Sequence, residues 1–187
     1  DGKVCLIDCG ANVDSRPEFL TQFALMAVCY MRSVFGVKDP RVGLVSVGVE
    51  DHKGNALTKE VFGALKRLPI NFVGNMEARD ALSGEYDVIV ADGFVGNVLL
   101  KSVEGTAQMV IGELKSAIMG SASAKFGALF MKKAFRTLKK KMDYNAYGGA
   151  PFLGINKIIV KAHGASNPAA IAAALHQVKK MAEADLV

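Results

Sequence analysis

The segment VIVADGFVGNVLLK, residues 88–101, begins as an apolar run of strand length, stops at Asp92-Gly93, passes a second glycine at Gly96 and leaves Asn97 as an amphipathic pattern. A strand that turns through glycine into a helix is half of a β-α unit. Apolar runs of similar length recur at 4–9, 42–47, 70–73, 87–91 and 157–162, with helix-like stretches between most of them. This alternation predicts an α/β fold, a mostly parallel sheet flanked by helices and Rossmann-like in layout. Pro17 suits the first turn of a helix reaching about residue 35, with Phe19, Phe23, Ala27, Tyr30 and Val34 on one face. A shorter helix is expected over 58–68, before Pro69. The longest starts near Phe94 and keeps Val95, Leu99, Val103, Val110, Leu114 and Ile118 on one face, and the last covers about 168–184.

With 187 residues, 51% of them apolar, the chain can bury a core as one domain over 1–187, alone or with an appendage. Its opening residues, DGKVCLIDCG, lead straight into a strand, an abrupt beginning for a domain of this class. The absence of a long apolar run and of a leader pattern predicts an intracellular, cytoplasmic protein. Cys5, Cys9 and Cys29 are odd in number and match no zinc spacing, so buried, reduced thiols are expected and no metal site.

Charge is concentrated. Residues 116–142 carry Lys125, Lys132, Lys133, Arg136, Lys139, Lys140 and Lys141 without one acidic residue, whereas the rest has 16 basic residues against 18 acidic. Within this segment Met131, Phe135, Leu138 and Met142 recur at helical spacing, and Phe126 and Phe130 extend the apolar face. A basic amphipathic helix over 116–142 suits an anionic membrane surface or an acidic protein. Packing of that face on its own domain or across a dimer interface is the other reading. Nucleic acid is disfavoured, since no recognition motif or stacking platform accompanies the lysines.

Each expected strand runs into a turn rich in Gly, Asn and Asp: 9–12, 48–55, 74–75, 92–97 and 163–167. Parallel strands align their C-terminal ends along one edge, where open α/β sheets hold ligands. Glycine lets backbone approach a ligand, and helix N-termini favour anions, so the shared crevice is expected to hold phosphate. Such residues also end strands and cap helices for structural reasons alone, and the argument rests on their coincidence. Neither a dinucleotide fingerprint nor a P-loop occurs. Lys101 stands one helical turn after Asn97 and would add a point charge; a solvated surface lysine is the alternative. His163 could donate to an anion or move a proton, or be a structural hydrogen-bonder.

Six ordered stretches, LIDCGANVDSRPEFLTQFALM, PRVGLVSVGVEDHKGNALTKE, INFVGNMEARD, VIVADGFVGNVLLKSVEGTA, YGGAPFLGIN and KAHGASNPAAI, make the chain resemble the phosphate acyltransferase family of bacterial glycerolipid synthesis, the acyl-carrier-protein:phosphate acyltransferases. The likeness spans essentially all 187 residues and corresponds to the C-terminal part of longer family members, without the N-terminal stretch and its glycine- and aspartate-rich turn. Cys9 departs from the aliphatic residue usual in the family. The resemblance implies a fold similar to phosphotransacetylases and the isocitrate dehydrogenase-like group. It also implies a homodimer, peripheral membrane association at the basic segment, and transfer of a long acyl group from the acyl carrier protein thioester to inorganic phosphate.

That chemistry needs no catalytic triad and no cofactor. Phosphate is already an oxyanion, and a thiol of pKa near ~8.5 leaves readily. The site must hold the anion beside the thioester and stabilise the tetrahedral oxyanion. Asn97 and Lys101 are the foremost candidates, with His163, Asn55 and Lys59 second; Gly93 and Gly96 offer backbone amides, and Asp92 orients a lysine or a backbone turn. Phe130, Phe135, Lys139, Lys140 and Lys141 are the candidate contacts to membrane or carrier. Two other readings stay open: a phosphotransacetylase acting with coenzyme A, and a non-catalytic membrane scaffold for the carrier protein.

Overall fold

The computed structural model describes residues 3–141, 148–164 and 166–186, with the side chains of 139–141 outside the description. Two compact units emerge, one from Asp1–Leu100, Leu153–Lys157 and Met181–Val187, the other from Lys101–Phe152 and Ile158–Lys180.

The first unit is a four-stranded parallel sheet of β1 (Cys5–Ile7), β2 (Arg41–Ser46), β3 (Asn71–Glu77) and β4 (Val88–Val90), in the order β1-β4-β2-β3. Helix α1 (Pro17–Phe35) follows β1 and α2 (Ala56–Leu65) follows β2. A parallel sheet covered by helices buries its central strands on both faces, and Val88, Ile89 and Val90 of β4 are 0%, 1% and 0% exposed accordingly. Each such side chain contributes about 1.5–3 kcal/mol relative to full exposure.

Helix α1 begins where Pro17 was read and stops at Gly36, whose φ of 70° is left-handed; the Gly36 N–H donates to Arg32 O and the Val37 N–H to Met31 O. That left-handed exit satisfies the last carbonyls and is what glycine permits. Its buried stripe runs through Leu20, Ala24, Val28 and Met31 as well as Phe23, Ala27 and Tyr30. Phe19 and Val34 of the expected face are only half-buried. Helix α2 begins two residues earlier than expected, because Asn55 accepts from the Thr58 N–H and caps it there.

The N-terminal edge of the sheet is clamped by Arg41 and Asp87. The guanidinium donates from Nε to Asp87 Oδ2 at 2.9 Å and from Nη2 to Oδ1 at 3.1 Å, and the Arg41 N–H donates to the same carboxylate. The first cause of the lowered Asp87 pKa is this hydrogen bond, which outweighs burial.

Helix α3 (Gly93–Met119) starts in the first unit, and its residues from Lys101 on are grouped with the second. The second unit also holds α4 (Ala122–Phe130), α5 (Lys132–Lys141), a hairpin of β5 (Gly149–Phe152) and β6 (Ile159–Ala162), and most of α6 (Pro168–Glu183).

Four expectations are corrected. The run at 157–162 is not a strand of the parallel sheet, for β6 pairs antiparallel with β5, whose Gly-Ala-Pro-Phe sequence carries little strand signal. The turn expected at Gly74-Asn75 lies inside β3, which continues to Glu77. The basic segment is not one helix: α3 ends before Gly120, Ser121 accepts from the Ala124 N–H to cap α4, and Met131 separates α4 from α5. Met142 lies outside the described residues. Of the thiols, Cys5 and Cys9 are half-buried, but Cys29 is exposed on α1.

Candidate active site

The order β1-β4-β2-β3 puts β1 beside β4, so the turns that follow these two parallel strands lie side by side at the sheet edge where open α/β folds hold ligands. The two turns there are locked together. Asp8, 7% exposed directly after β1, accepts from the N–H groups of Gly10 and Ala11 at 3.1 and 3.0 Å, from the Asn12 N–H, and from Asn12 Nδ2 at 3.0 Å. Burial works to raise its pKa, but the hydrogen bonds from Ala11, Asn12 and Cys9 prevail and hold it below the ordinary 3.8. A carboxylate so saturated is no proton acceptor; it shapes the loop.

The β4 turn is then seated on that loop. Asp92 Oδ1 accepts from the Val95 N–H at 2.8 Å and caps α3, so it orients a backbone turn as read from the sequence. The Gly93 N–H donates to Asn12 O at 2.9 Å, and a Cβ at Gly93 would stand 2.5 Å from that oxygen. A Cβ at Gly96 would overlap Asp8 O. Both glycines therefore allow backbone to pack on backbone. Their amides are already engaged, Gly96 N–H with Asp92 O and Val95 N–H with the Asp92 side chain, so these three donors do not cradle an anion as the sequence led one to expect.

Asn97 stands beside Gly10. Its Cβ, Cγ and Oδ1 would each lie 3.5 Å from a Cβ placed on Gly10, which has a φ of 113°. Among the described residues nothing hydrogen-bonds the exposed Asn97 carboxamide, which is left to face solvent or a ligand. Asp92, Gly93, Gly96 and Asn97 are thus brought together, joined by Asp8, Gly10 and Asn12.

Asn55 and Lys59 lie along the same sheet edge, after β2. Asn55 Oδ1 is occupied by the Thr58 N–H and hydroxyl, whereas the Lys59 side chain is exposed. The β2 turn is anchored by Asn75, whose Nδ2 donates to Glu50 O at 2.9 Å. Asn75 is 4% exposed, and its Oδ1 and the Ser46 Oγ are buried without a partner among the described residues.

Lys101 and His163 belong to the second unit. Lys101 Nζ pairs with Glu104 Oε2 at 2.7 Å on the surface of α3, and His163 follows β6, its carbonyl accepting from the Ser166 N–H. Phe130 on α4 is 79% exposed, whereas Phe135 on α5 is half-buried. Lys139, Lys140 and Lys141 are in α5, their side chains undescribed. The residues that sequence reading passed over are Asp8 and Ser46, while Asn12 and Asn75 were read only as members of their turns. Only the Asp-x-Gly-x-Asn spacing of 8–12 carried a signal, that of a side chain folding back on its own turn.

Cys9 is no nucleophile. Its Sγ donates to Leu6 O at 3.3 Å, and burial, followed by the Asp8 charge, pushes its pKa up to about 11. Among the described residues no group of three or more His, Cys, Asp and Glu could hold a metal.

A family model described as "Fatty acid synthesis protein" matches residues 1–187. The chain belongs to that family. It is 50% identical over 188 residues to a phosphate acyltransferase of Clostridium perfringens, covering 100% of the chain and 56% of that relative. It is likewise 50% identical to phosphate acyltransferases of Lysinibacillus sphaericus and Clostridium acetobutylicum, over 98% and 96% of the chain and 56% and 54% of those relatives. The chain thus spans about half the length of the curated relatives it matches. Among its described residues no helix is long and apolar enough to cross a membrane.

Proposed function

We propose that this family member transfers a long-chain acyl group from the thioester of acyl carrier protein to inorganic phosphate, forming an acyl phosphate for phospholipid synthesis. The observation that carries the reading is the unengaged carboxamide of Asn97, held where the turns after β1 and β4 meet by glycines whose Cβ would run into backbone. A phosphate oxygen attacks the thioester carbonyl carbon, the tetrahedral oxyanion collapses, the C–S bond breaks, and the departing thiolate takes a proton from solvent. Asn97 donates to phosphate or to the oxyanion. Lys101 supplies positive charge once exchanged from Glu104, an exposed pairing worth about 0.2–1 kcal/mol. Asn55 and Lys59, along the same sheet edge, are the further candidates to hold the anion, with Asp92, Gly93 and Gly96 as its scaffold, and His163 is kept as a separate candidate in the second unit.

The acidic carrier and an anionic bilayer are the partners that the basic segment suits. Phe126, Leu129 and Phe130 of α4, 65%, 68% and 79% exposed, are the apolar contacts best disposed for peripheral membrane attachment in the cytoplasm. Phe135, half-buried, is less suited to it. A homodimer is the assembly we assign.

Phosphate-dependent release of free thiol from a long-chain acyl carrier protein tests the reaction, with this chain alone and with the length of its relatives restored. Release abolished in Asn97→Ala is the expected result. Equal release with and without phosphate, or an unaffected Asn97→Ala, removes it.

A further inference from the structure

We infer that Asn75 is a positioning residue for the acyl transfer proposed above, on which this inference rests: it fixes residues 47–55 beside the Asn97 turn and so holds Asn55 and Lys59 in place for phosphate. All four strands run parallel in the order β1-β4-β2-β3, so the turn after β4 has the turn after β1 on one side and residues 47–55, after β2, on the other. Among the described residues only two acidic or amide side chains are buried, Asp8 and Asn75, and each braces one of those flanking segments. Asp8 gathers the amides of 10–12 on one flank. Asn75, 4% exposed, donates from Nδ2 to Glu50 O at 2.9 Å on the other. The same carbonyl accepts from the Lys53 N–H at 3.0 Å, so the carboxamide holds the bend at 50–53. The segment then leaves through Gly54, with a φ of 116°, where a Cβ would stand 3.0 Å from Ser46 Oγ and closer still to Thr58 Oγ1, and enters α2 at Asn55.

Strand β3 is bent to put an amide there. Val42 pairs with Phe72 but Gly43 pairs with Gly74, so Val73 is an extra residue in the ladder. A bulge of this kind turns the side chains that follow it to the other face, and Gly74 accommodates it with a φ of 109°. Asn75 thereby falls opposite Leu44, which is fully buried. Stability alone would favour an apolar residue at such a position. Only an N–H can meet the Glu50 carbonyl, so the carboxamide is oriented, and its Oδ1, like the Ser46 Oγ, is buried without a partner among the described residues. An unpaired buried oxygen is unfavourable. Asn75 thus gives up stability for a hydrogen bond to a segment at the candidate site, which positioning requires and core packing does not.

Hydrogen exchange and kinetics of Asn75→Leu, on the same chain lengths as the thiol-release assay, test this. Leucine is close to asparagine in shape, removes the unpaired oxygen and cannot donate to Glu50 O, so the melting temperature should hardly move. Inorganic phosphate should slow exchange of the amides of 48–59 in the unaltered protein. In Asn75→Leu those amides should exchange faster and gain far less protection from phosphate, with 17–35 unchanged. In thiol release the Michaelis constant for phosphate should rise about tenfold, while turnover at saturating phosphate and the Michaelis constant for the acyl carrier protein stay within about threefold. A side chain that only supports the fold would lower the melting temperature and the active fraction together and leave both Michaelis constants alone, and that result overturns the proposal. So does equal phosphate protection of 48–59 in the two proteins. Should Asn75→Leu not fold, Asn75→Asp, alike in size and without an N–H for Glu50, is read against the same outcomes. No phosphate-dependent thiol release from the unaltered protein removes the reaction and leaves the exchange comparison to decide on Asn75, whereas release with an unaltered phosphate constant in the variant removes this inference alone.

Discussion

The α-carbon of Gly96 in α3 sits against the carbonyl oxygen of Asp8 after β1, so close that a Cβ on Gly96 would overlap that oxygen. This contact sets how near Asn97 comes to Gly10. Gly96→Ala is expected to cost on the order of 1–3 kcal/mol, because neither backbone can give way as a flexible side chain would. Gly105→Ala, in the same helix with nothing within 4 Å of the added carbon, should instead stabilise by roughly 0.5–1 kcal/mol. Urea denaturation of the pair decides it: equal effects would mean that packing at Gly96 is unimportant.

Asp8 should show its role through pH. Its folded pKa is depressed, so its contribution is fully present above the ordinary 3.8 and is lost as pH falls through the lower folded value. Asp8→Asn is expected to be less stable at pH 7 by about 1.5–3 kcal/mol, the worth of hydrogen bonds to a charged acceptor. That deficit should narrow as the medium is acidified below pH 3.8. A deficit independent of pH would count against an ionised Asp8.

Asn97→Ala should lower turnover by about 10²–10³-fold, the usual loss on removing an oxyanion donor, with the melting temperature unchanged because the side chain is exposed. Loss of turnover accompanied by a large drop in melting temperature would assign Asn97 a structural role instead.

Glu104→Gln releases Lys101 from its surface partner. Stability should hardly move, since exposed pairs contribute little. If Lys101 acts on phosphate, the Michaelis constant for phosphate should fall, and Lys101→Ala should raise it. An unchanged constant in both variants would take Lys101 out of the site.

The Arg41–Asp87 pair lies at the edge of the sheet opposite the candidate site. Asp87→Ala should destabilise the fold without changing turnover at saturating substrate. A drop in turnover there, measured well below the melting temperature, would show that the clamp communicates with the active edge.

Much of the first unit was legible because its signals are local. Pro17, Gly36 and the apolar periodicity between them specify α1 through φ restriction, a left-handed exit and one buried face. The Asp-Gly-x-x-Gly-Asn run at 92–97 likewise announced a strand turning into a helix, and Asp92 caps it as read. What the sequence by itself determined was therefore the α/β class, the positions of most elements, and the gathering of Gly93, Gly96 and Asn97 in one turn. Tertiary structure decided the rest. That 157–162 pairs antiparallel with 149–152 depends on a partner strand with little β-propensity of its own. That Gly93 and Gly96 serve close packing rather than anion binding depends on Asp8 and Asn12, some 80 residues away in sequence and brought there only by the pairing of β1 with β4. Propensity and periodicity are properties of neighbouring residues, whereas strand direction and the destination of a backbone N–H belong to contacts that exist only once the chain has closed on itself.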